Sequence, residues 1–299
     1  MTESEHPRYG LISAFRNESH WLADLVRSIE AQTIKPSKWV LVDDGSTDDS
    51  LERARNLTSH LPFVEVVTLI DTGKRDFASQ VYAQLAGVDA FAGDLPAFLG
   101  FLDADILLPP EYYETMLERF KSDPKLGIAG GHLLDKIGES LVDARAGSHT
   151  YHVPGGVQLF RAECYRRAGG YIPIAGGGQD VVIETTAMMN GWTVHSFPSP
   201  DAIHLRPFGS GTARGLSRHV AWGRKFYTIG YHPLYFAAST LRRVSESPYL
   251  ISAGAKATGY LGALVTRKPR AVSPELMKYL RHQQVRRMLD IRDRRRGNQ

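Results

Sequence analysis

The chain lacks most of what marks secreted, membrane-embedded and repetitive proteins. Cys164 is its only cysteine, so no disulfide can close within it, which fits a reducing compartment. No apolar run reaches the ~18 residues that a spanning helix needs. Residues Met1 to Pro7 are polar, carry Glu3 and Glu5, and lack the basic-then-apolar order of a secretory leader. No internal repeat or long low-complexity tract is present. These absences lead to the expectation of a cytoplasmic globular protein, and 299 residues suffice for one large α/β domain with an extension.

Acidic residues are scarce at one end. From Arg242 onward fourteen Lys/Arg face four Asp/Glu, about +10, while the whole chain carries +4, so the remainder sums to about −6. The basic end is expected either to form a solvated helical surface or to make peripheral contact with an anionic membrane face. Nucleic acid is not an expected partner, because the region lacks recognisable binding modules and interleaved aromatics.

The first hundred residues alternate strand and helix patterns. Tyr9–Phe15 is a short apolar run, and Glu18–Ala31 places Trp21, Leu22, Leu25, Val26 and Ile29 at helical spacing. Trp39–Val42 reads as a buried strand. Asp49 and Glu52 have the spacing of a capping box opening a helix to about His60. Val64–Leu69 reads as strand, Phe77–Phe91 as helix and Ala97–Leu102 as strand. Such alternation predicts a mainly parallel, doubly wound sheet with helices on both faces. Residues 147 to 178 are rich in glycine, which suggests tight turns and loops over a site. Val181–Asn190 reads as a helix and Trp192–Phe197 as a strand. Beyond Arg206 three helices are expected, over Arg214–Ile229, Tyr249–Val265 and Pro274–Arg292. The domains are therefore expected at 1–205 and 206–299, the second a basic helical region.

In an open parallel sheet, ligands bind outside the carboxyl ends of the strands. Three strand ends here carry Ser13-Ala14-Phe15-Arg16-Asn17, Asp43-Asp44 and Asp103-Ala104-Asp105. Two carboxylates one residue apart after an apolar strand suit a hard divalent cation, and that cation suits phosphate oxygens. Taken alone, each acidic motif also reads as a polar turn with an aspartate cap.

Together and in order, these motifs resemble glycosyltransferase family 2. Trp39-Val40-Leu41-Val42-Asp43-Asp44-Gly45-Ser46-Thr47-Asp48 is similar to its first signature, as are Ser13 to Glu18 and Ala31-Gln32-Thr33. Phe101-Leu102-Asp103-Ala104-Asp105 matches its Asp-X-Asp motif. Gly155-Gly156-Val157-Gln158-Leu159-Phe160-Arg161 resembles its glycine pair before a strand and short helix. Gln179-Asp180 followed by Gly191-Trp192-Thr193-Val194 resembles its acidic pair, helix and Gly-aromatic strand. The resemblance covers roughly residues 9 to 205 in five motifs. Two departures stand out: Gln179 replaces the usual Glu, and the first motif lacks the commoner proline.

The resemblance implies a Rossmann-like GT-A fold that binds a nucleotide-sugar, with UDP the expected nucleotide, and Mn²⁺ or Mg²⁺ as the cofactor. It implies that Asp44 meets the nucleotide base and that Phe15 lies along the same pocket. Lys74 or Arg75 would reach the base or the phosphates, Asp103 would lie near the ribose, and Asp105 would bind the metal. Asp180 would act as the catalytic base on a carbohydrate, lipid-linked or small-molecule acceptor. His204, in Ala202-Ile203-His204-Leu205-Arg206, stands where several GT-A enzymes complete the metal shell; the alternative is a histidine hydrogen-bonded at a strand end. Arg206, Arg214, Arg218 and Arg224 are candidate phosphate contacts, or simply solvent-facing. Two other classes share such sheets: sugar-phosphate nucleotidyltransferases, whose glycine-rich first loop is missing here, and sugar-nucleotide-binding proteins with a degenerate site.

Overall fold

A computed structural model describes residues 7–70, 77–143, 150–206, 215–242 and 249–296. The expected alternation forms the first half. β1 (Tyr9–Phe15), α1 (Leu22–Glu30), β2 (Lys38–Asp43), α2 (Ser50–Thr58), β3 (Val64–Thr68), α3 (Phe77–Asp89) and β4 (Phe98–Phe101) follow in order. Trp39 to Asp43 are all buried, as an apolar strand covered on both faces must be. α1 buries Leu22, Leu25, Val26 and Ile29 along one stripe. The Asp49 capping box does not form: Asp49 holds the N-cap position without a side-chain bond. Instead Oδ1 of Asp48 accepts the Ser50 amide at 3.0 Å, because the tight turn puts the earlier aspartate nearer that amide.

The region from 106 to 142 is richer than the sequence pattern suggested. It holds β5 (Ile106–Leu107), α4 (Tyr112–Ser122), the long β6 (Leu126–Ile137) and β7 (Ser140–Val142). Then come a single 3-10 turn at Gly155–Val157, β8 (Leu159–Arg161), α5 (Ala162–Arg167), α6 (Gln179–Met189) and β9 (Thr193–His204). β9 runs seven residues past the expected end at Phe197, because its far half pairs with both β6 and β5. Four helices close the chain: α7 (Leu216–Thr228), α8 (Pro233–Arg242), α9 (Tyr249–Val265) and α10 (Pro274–Arg296). α8 was not anticipated; its pattern is short and nearly uncharged.

The nine-stranded sheet has the order β3-β2-β1-β4-β8-β6-β9-β5, with β7 paired to β6. β3, β2, β1 and β4 are parallel neighbours. β8 is antiparallel to both β4 and β6, so β6 and its parallel partner β9 return to the common direction. The sheet is therefore mixed but mostly parallel. Its core gathers the buried side chains of the strands with those of α1, α4 and α5. A second, smaller core joins Val182 of α6 and Ile174, which precedes that helix, to Ile229 and to Leu276 of α10, which packs the C-terminal helices against α6. Among the described residues no helix is long and apolar enough to cross a membrane.

Candidate active site

The site begins where β1, β2 and β4 end side by side. Phe15 pairs with Asp43, and the Leu102 amide donates to Ile12 O at 3.0 Å, so three loops leave the sheet at nearly one level. Asn17, in left-handed backbone at φ 52°, ties two of them together. Its Oδ1 accepts the Thr47 amide at 2.8 Å, and its own amide donates to Ser46 Oγ at 3.0 Å. The Asp44 amide donates to Phe15 O at 2.9 Å, and Arg16 donates to Asp44 O at 2.7 Å. Asp44 is half-buried at this rim. Phe15 is 3 % exposed and belongs to the main core. Lys74, Arg75 and Arg214 lie outside the described residues.

Asp103 and Asp105 follow β4. Gln80 of α3 donates to Asp103 Oδ1 at 2.9 Å, and the Asp103 amide donates to Gly156 O at 3.0 Å. Burial, reinforced by the Asp105 carboxylate, pushes the Asp103 carboxyl up to about 7. Asp105 goes the other way. Burial opposes its charge, but a hydrogen bond and the charge from His204, with those of Arg206, outweigh it and hold the carboxyl below the usual range. Arg206 Nε donates to Asp105 Oδ2 at 2.9 Å, and Arg206 also pairs with Glu18 at 2.6 Å, so one guanidinium bridges the β1 and β4 loops.

His204 Nε2 lies 3.5 Å from Asp105 Oδ2, and its Nδ1 is 2.9 Å from Oδ1 of Asp135. Asp135, in β6, is 2 % exposed and directly opposite His204 in the β6–β9 register. Burial lowers the histidine's proton affinity, but the two carboxylates raise it by more. An imidazole fixed through one nitrogen by a buried carboxylate, with the other aimed at a second carboxylate, is the arrangement of an oriented metal ligand. Among the described residues no three His, Cys, Asp or Glu side chains converge on one point. Mg²⁺ and Mn²⁺ commonly take one or two protein ligands and fill the shell with phosphate oxygen and water. The pair Asp105 and His204 fits such an ion.

The glycine pair connects this cluster to α6. A Cβ added at Gly156 would lie 2.5 Å from Asp103 Oδ2 and 2.6 Å from Ile106 Cδ1. One added at Gly155 would lie 3.6 Å from Asp180 Cβ. The 3-10 turn thus lies against Asp103 on one side and Asp180 on the other; a side chain at Gly156 would collide with Asp103, whereas one at Gly155 would make only ordinary contact with Asp180. Asp180 sits in the first turn of α6, half-buried, its Oδ1 accepting the adjacent Val181 amide at 2.9 Å. Gly178, at φ 102°, holds the N-cap position in left-handed backbone. One turn further along, Glu184 is fully enclosed; it accepts the Val153 amide at 2.8 Å and Gln158 Nε2 at 2.9 Å, and meets His152 at 2.8 Å. This clamp fixes the chain leading into the glycine pair. Arg218 and Arg224 lie on α7, with the Arg218 guanidinium over the Trp222 ring at 5.7 Å.

Glu18, Gln80 and Asp135 were missed by pattern reasoning. Asp135 had a signal, an acidic residue inside an otherwise apolar strand run. Glu18 had only its place at the end of the Ser13 to Glu18 motif, and Gln80 had none, since it reaches the site only through folding.

The glycosyl transferase family 2 model matches residues 11–165. The poly-beta-1,6-N-acetyl-D-glucosamine synthase of Staphylococcus aureus (strain COL) is 27 % identical over 116 residues, 39 % of this chain and 26 % of that protein. The chain therefore matches about a quarter of that relative's length. Among solved structures, a mannosyltransferase from Pyrobaculum calidifontis in complex with GDP-Man and Mn²⁺ has a TM-score of 0.53 at 17 % identity, covering 93 % of this chain and 79 % of that one. GalNAc-T7 with UDP, GalNAc and Mn²⁺ has a TM-score of 0.57 at 15 % identity, covering 93 % and 56 %. Residues 1–349 of S. aureus TarS give 0.54 at 11 % identity, covering 87 % and 72 %. These likenesses establish the GT-A type of fold, with additional C-terminal helices.

Proposed function

The chain belongs to glycosyl transferase family 2, and from that premise we propose that it moves a sugar from a nucleoside-diphosphate donor, UDP-linked, onto an acceptor hydroxyl with inversion at the anomeric carbon. The acceptor class is a growing glycan or glycoconjugate. The carrying observation is the glycine pair Gly155–Gly156, whose two sides lie against Asp103 and Asp180.

In this reading Asp44, at the rim beside β1, accepts from a ring N–H of the base, and Lys74 or Arg75 reaches the base or the phosphates. Asp103, steadied by Gln80, faces the ribose. Asp105 and His204 hold a divalent cation, with Asp135 fixing the imidazole. The bound ion would neutralise charge on the departing diphosphate. The acceptor oxygen bonds to the anomeric carbon from the face opposite the leaving group. The bond from that carbon to the diphosphate oxygen breaks, and the hydroxyl proton passes to Asp180. No covalent intermediate is needed. Arg206 supports the cluster in the free protein as an internal counter-charge to Asp105 and Glu18.

A panel of UDP-, GDP- and dTDP-sugars, assayed with Mn²⁺ for nucleoside-diphosphate release and by NMR for the anomeric configuration of the product, tests the proposal. Release of UDP with inverted configuration is expected. A retained configuration would refute the single displacement, and binding without turnover on any acceptor would favour a sugar-nucleotide-binding protein.

A further inference from the structure

α9 is apolar on two sides, although a helix at a protein surface needs only one. Inward, it packs on α7 and α8 through Ser252, Gly259, Tyr260 and Ala263. Outward, Leu250 is 71 % exposed, Leu261 54 % and Val265 80 %. These three, with Gly254 and Thr258 between them, follow i, i+4 and i+3 steps along one line of the helix. Ile251 flanks that line and is also exposed. The single charge of α9, Lys256, is turned inward, 6 % exposed, with its ammonium 5.4 Å from the Trp222 ring. Nothing charged interrupts the outward face. α8 repeats the feature, exposing Leu234, Ala237, Ala238 and Leu241 at i, i+3, i+4 and i+7.

The charge of the chain segment that carries this surface selects what could cover it. From Leu216 to Leu289 there are thirteen Lys/Arg and two Asp/Glu. Arg267 and Lys268, directly after α9, are both exposed. A second copy of the chain would bring like charge against like charge. An anionic bilayer offers apolar depth for the leucines and negative headgroups for the basic residues. At 17 residues α9 is too short to span, but its length suits a helix lying in the interface plane.

We infer that the outward face of α9, with Arg267 and Lys268 at its end, docks in the plane of an anionic lipid bilayer. The inference does not depend on the sugar-transfer reading. None of Leu250, Leu261, Val265, Arg267 and Lys268 is among the residues assigned to donor or acceptor, so docking is expected to leave donor binding unchanged.

The test is flotation of the full chain with vesicles of phosphatidylcholine alone or of equal parts phosphatidylcholine and phosphatidylglycerol, at low salt. At least about tenfold more protein is expected to float with the anionic vesicles. Leu261→Ser with Val265→Ser, both at exposed positions, should lose most of that recruitment while binding nucleotide normally. Arg267→Gln with Lys268→Gln should remove the preference for phosphatidylglycerol. No recruitment to anionic vesicles overturns the inference. Full recruitment of the Leu261→Ser, Val265→Ser variant overturns it too, since charge alone would then suffice. So does a concentration-dependent dimer, seen by ultracentrifugation, that the same variant dissolves.

Discussion

Asp180 is the residue on which the proposed chemistry turns, and its surroundings separate a catalytic role from a structural one. Gly178 holds the N-cap position without a side-chain bond, and among the described residues the Asp180 carboxylate accepts a hydrogen bond only from its neighbour's amide. Asp180→Asn is therefore expected to change stability by less than ~1 kcal/mol. It should lower turnover by ~10²–10⁴-fold with donor affinity unchanged, as loss of a positioned base does. Calorimetry for the nucleotide beside a steady-state assay checks both halves, and a variant keeping a tenth or more of the turnover would contradict the role. Gly156 gives a complementary prediction. Any side chain there meets the Asp103 carboxylate and Ile106 at once, so Gly156→Ala must move Asp103. Nucleotide affinity should fall roughly tenfold, equivalent to about 1.4 kcal/mol, and titration calorimetry would read it. At Asp105, Asp105→Ala should abolish the gain in nucleotide affinity that Mn²⁺ gives, a difference that the same calorimetry with and without chelator exposes.

At the scale of elements, α7 and α9 approach closely enough for backbone to touch backbone. A Cβ at Gly223 would lie 1.9 Å from Lys256 O, and one at Gly259 would lie 2.0 Å from Val220 O. No rotamer change relieves a clash with a carbonyl oxygen, so Gly223→Ala has to separate the helices. The expected cost is ~1–3 kcal/mol, the range for overpacked interiors, measured as a lowered urea midpoint. The same helices reach the site. A Cβ added at Gly178 would lie 3.3 Å from Ile229 Cδ1 and 3.5 Å from Lys225 Cδ, and Ile229 shares a core with Val182 of α6. Separating α7 from α9 should therefore also reduce turnover, through the support under Asp180, without weakening nucleotide binding at the other strand ends.

For the molecule as a whole, proton balance sets a pH dependence of stability. Burial raises the carboxyls of Glu18, Asp103 and Glu184 above their ordinary range, although hydrogen bonds and neighbouring charges offset part of that rise. His132 and His204 are raised by their carboxylate partners against the effect of burial, while burial lowers His195 and His219. A group with a raised pKa holds its proton more tightly folded than unfolded. Its contribution is complete below the unfolded value and is lost as pH rises through the folded one. The carboxyls of Asp48, Asp105 and Glu275 are lowered and so titrate below pH 5; between pH 5 and pH 8 five groups act in this sense and two against it, so without metal or nucleotide the protein should be more stable near pH 5 than near pH 8. Urea midpoints at the two pH values check the sign, and Glu184→Gln should flatten the difference. Cys164 offers a second global readout. It is fully buried, and burial pushes its thiol up to about 12. A thiol reagent should label it only at the rate of global unfolding, and fast labelling of the native protein would contradict that packing.

Local pattern determined a good part of this protein. The apolar runs of β1, β2 and β4 and the stripe of α1 were readable because period and burial leave a direct mark on sequence. Asp44, Asp103 and Asp105 were readable as a set because each directly follows such a run, and strand ends collect on one edge of a parallel sheet. The Asp48 cap escaped because two aspartates compete for one turn and only its backbone angles decide. Tertiary structure alone decided the rest. The pairing of β9 with β6 sets Asp135 against His204 across 69 residues of chain, and the turn after β9 brings Arg206 to Glu18, 188 residues away. Such contacts depend on strand register and on loop paths, which no short window of sequence encodes. The outward face of α9 divides in the same way. Its apolar character is plain in the residues, but which side remains uncovered followed only from the crossing with α7.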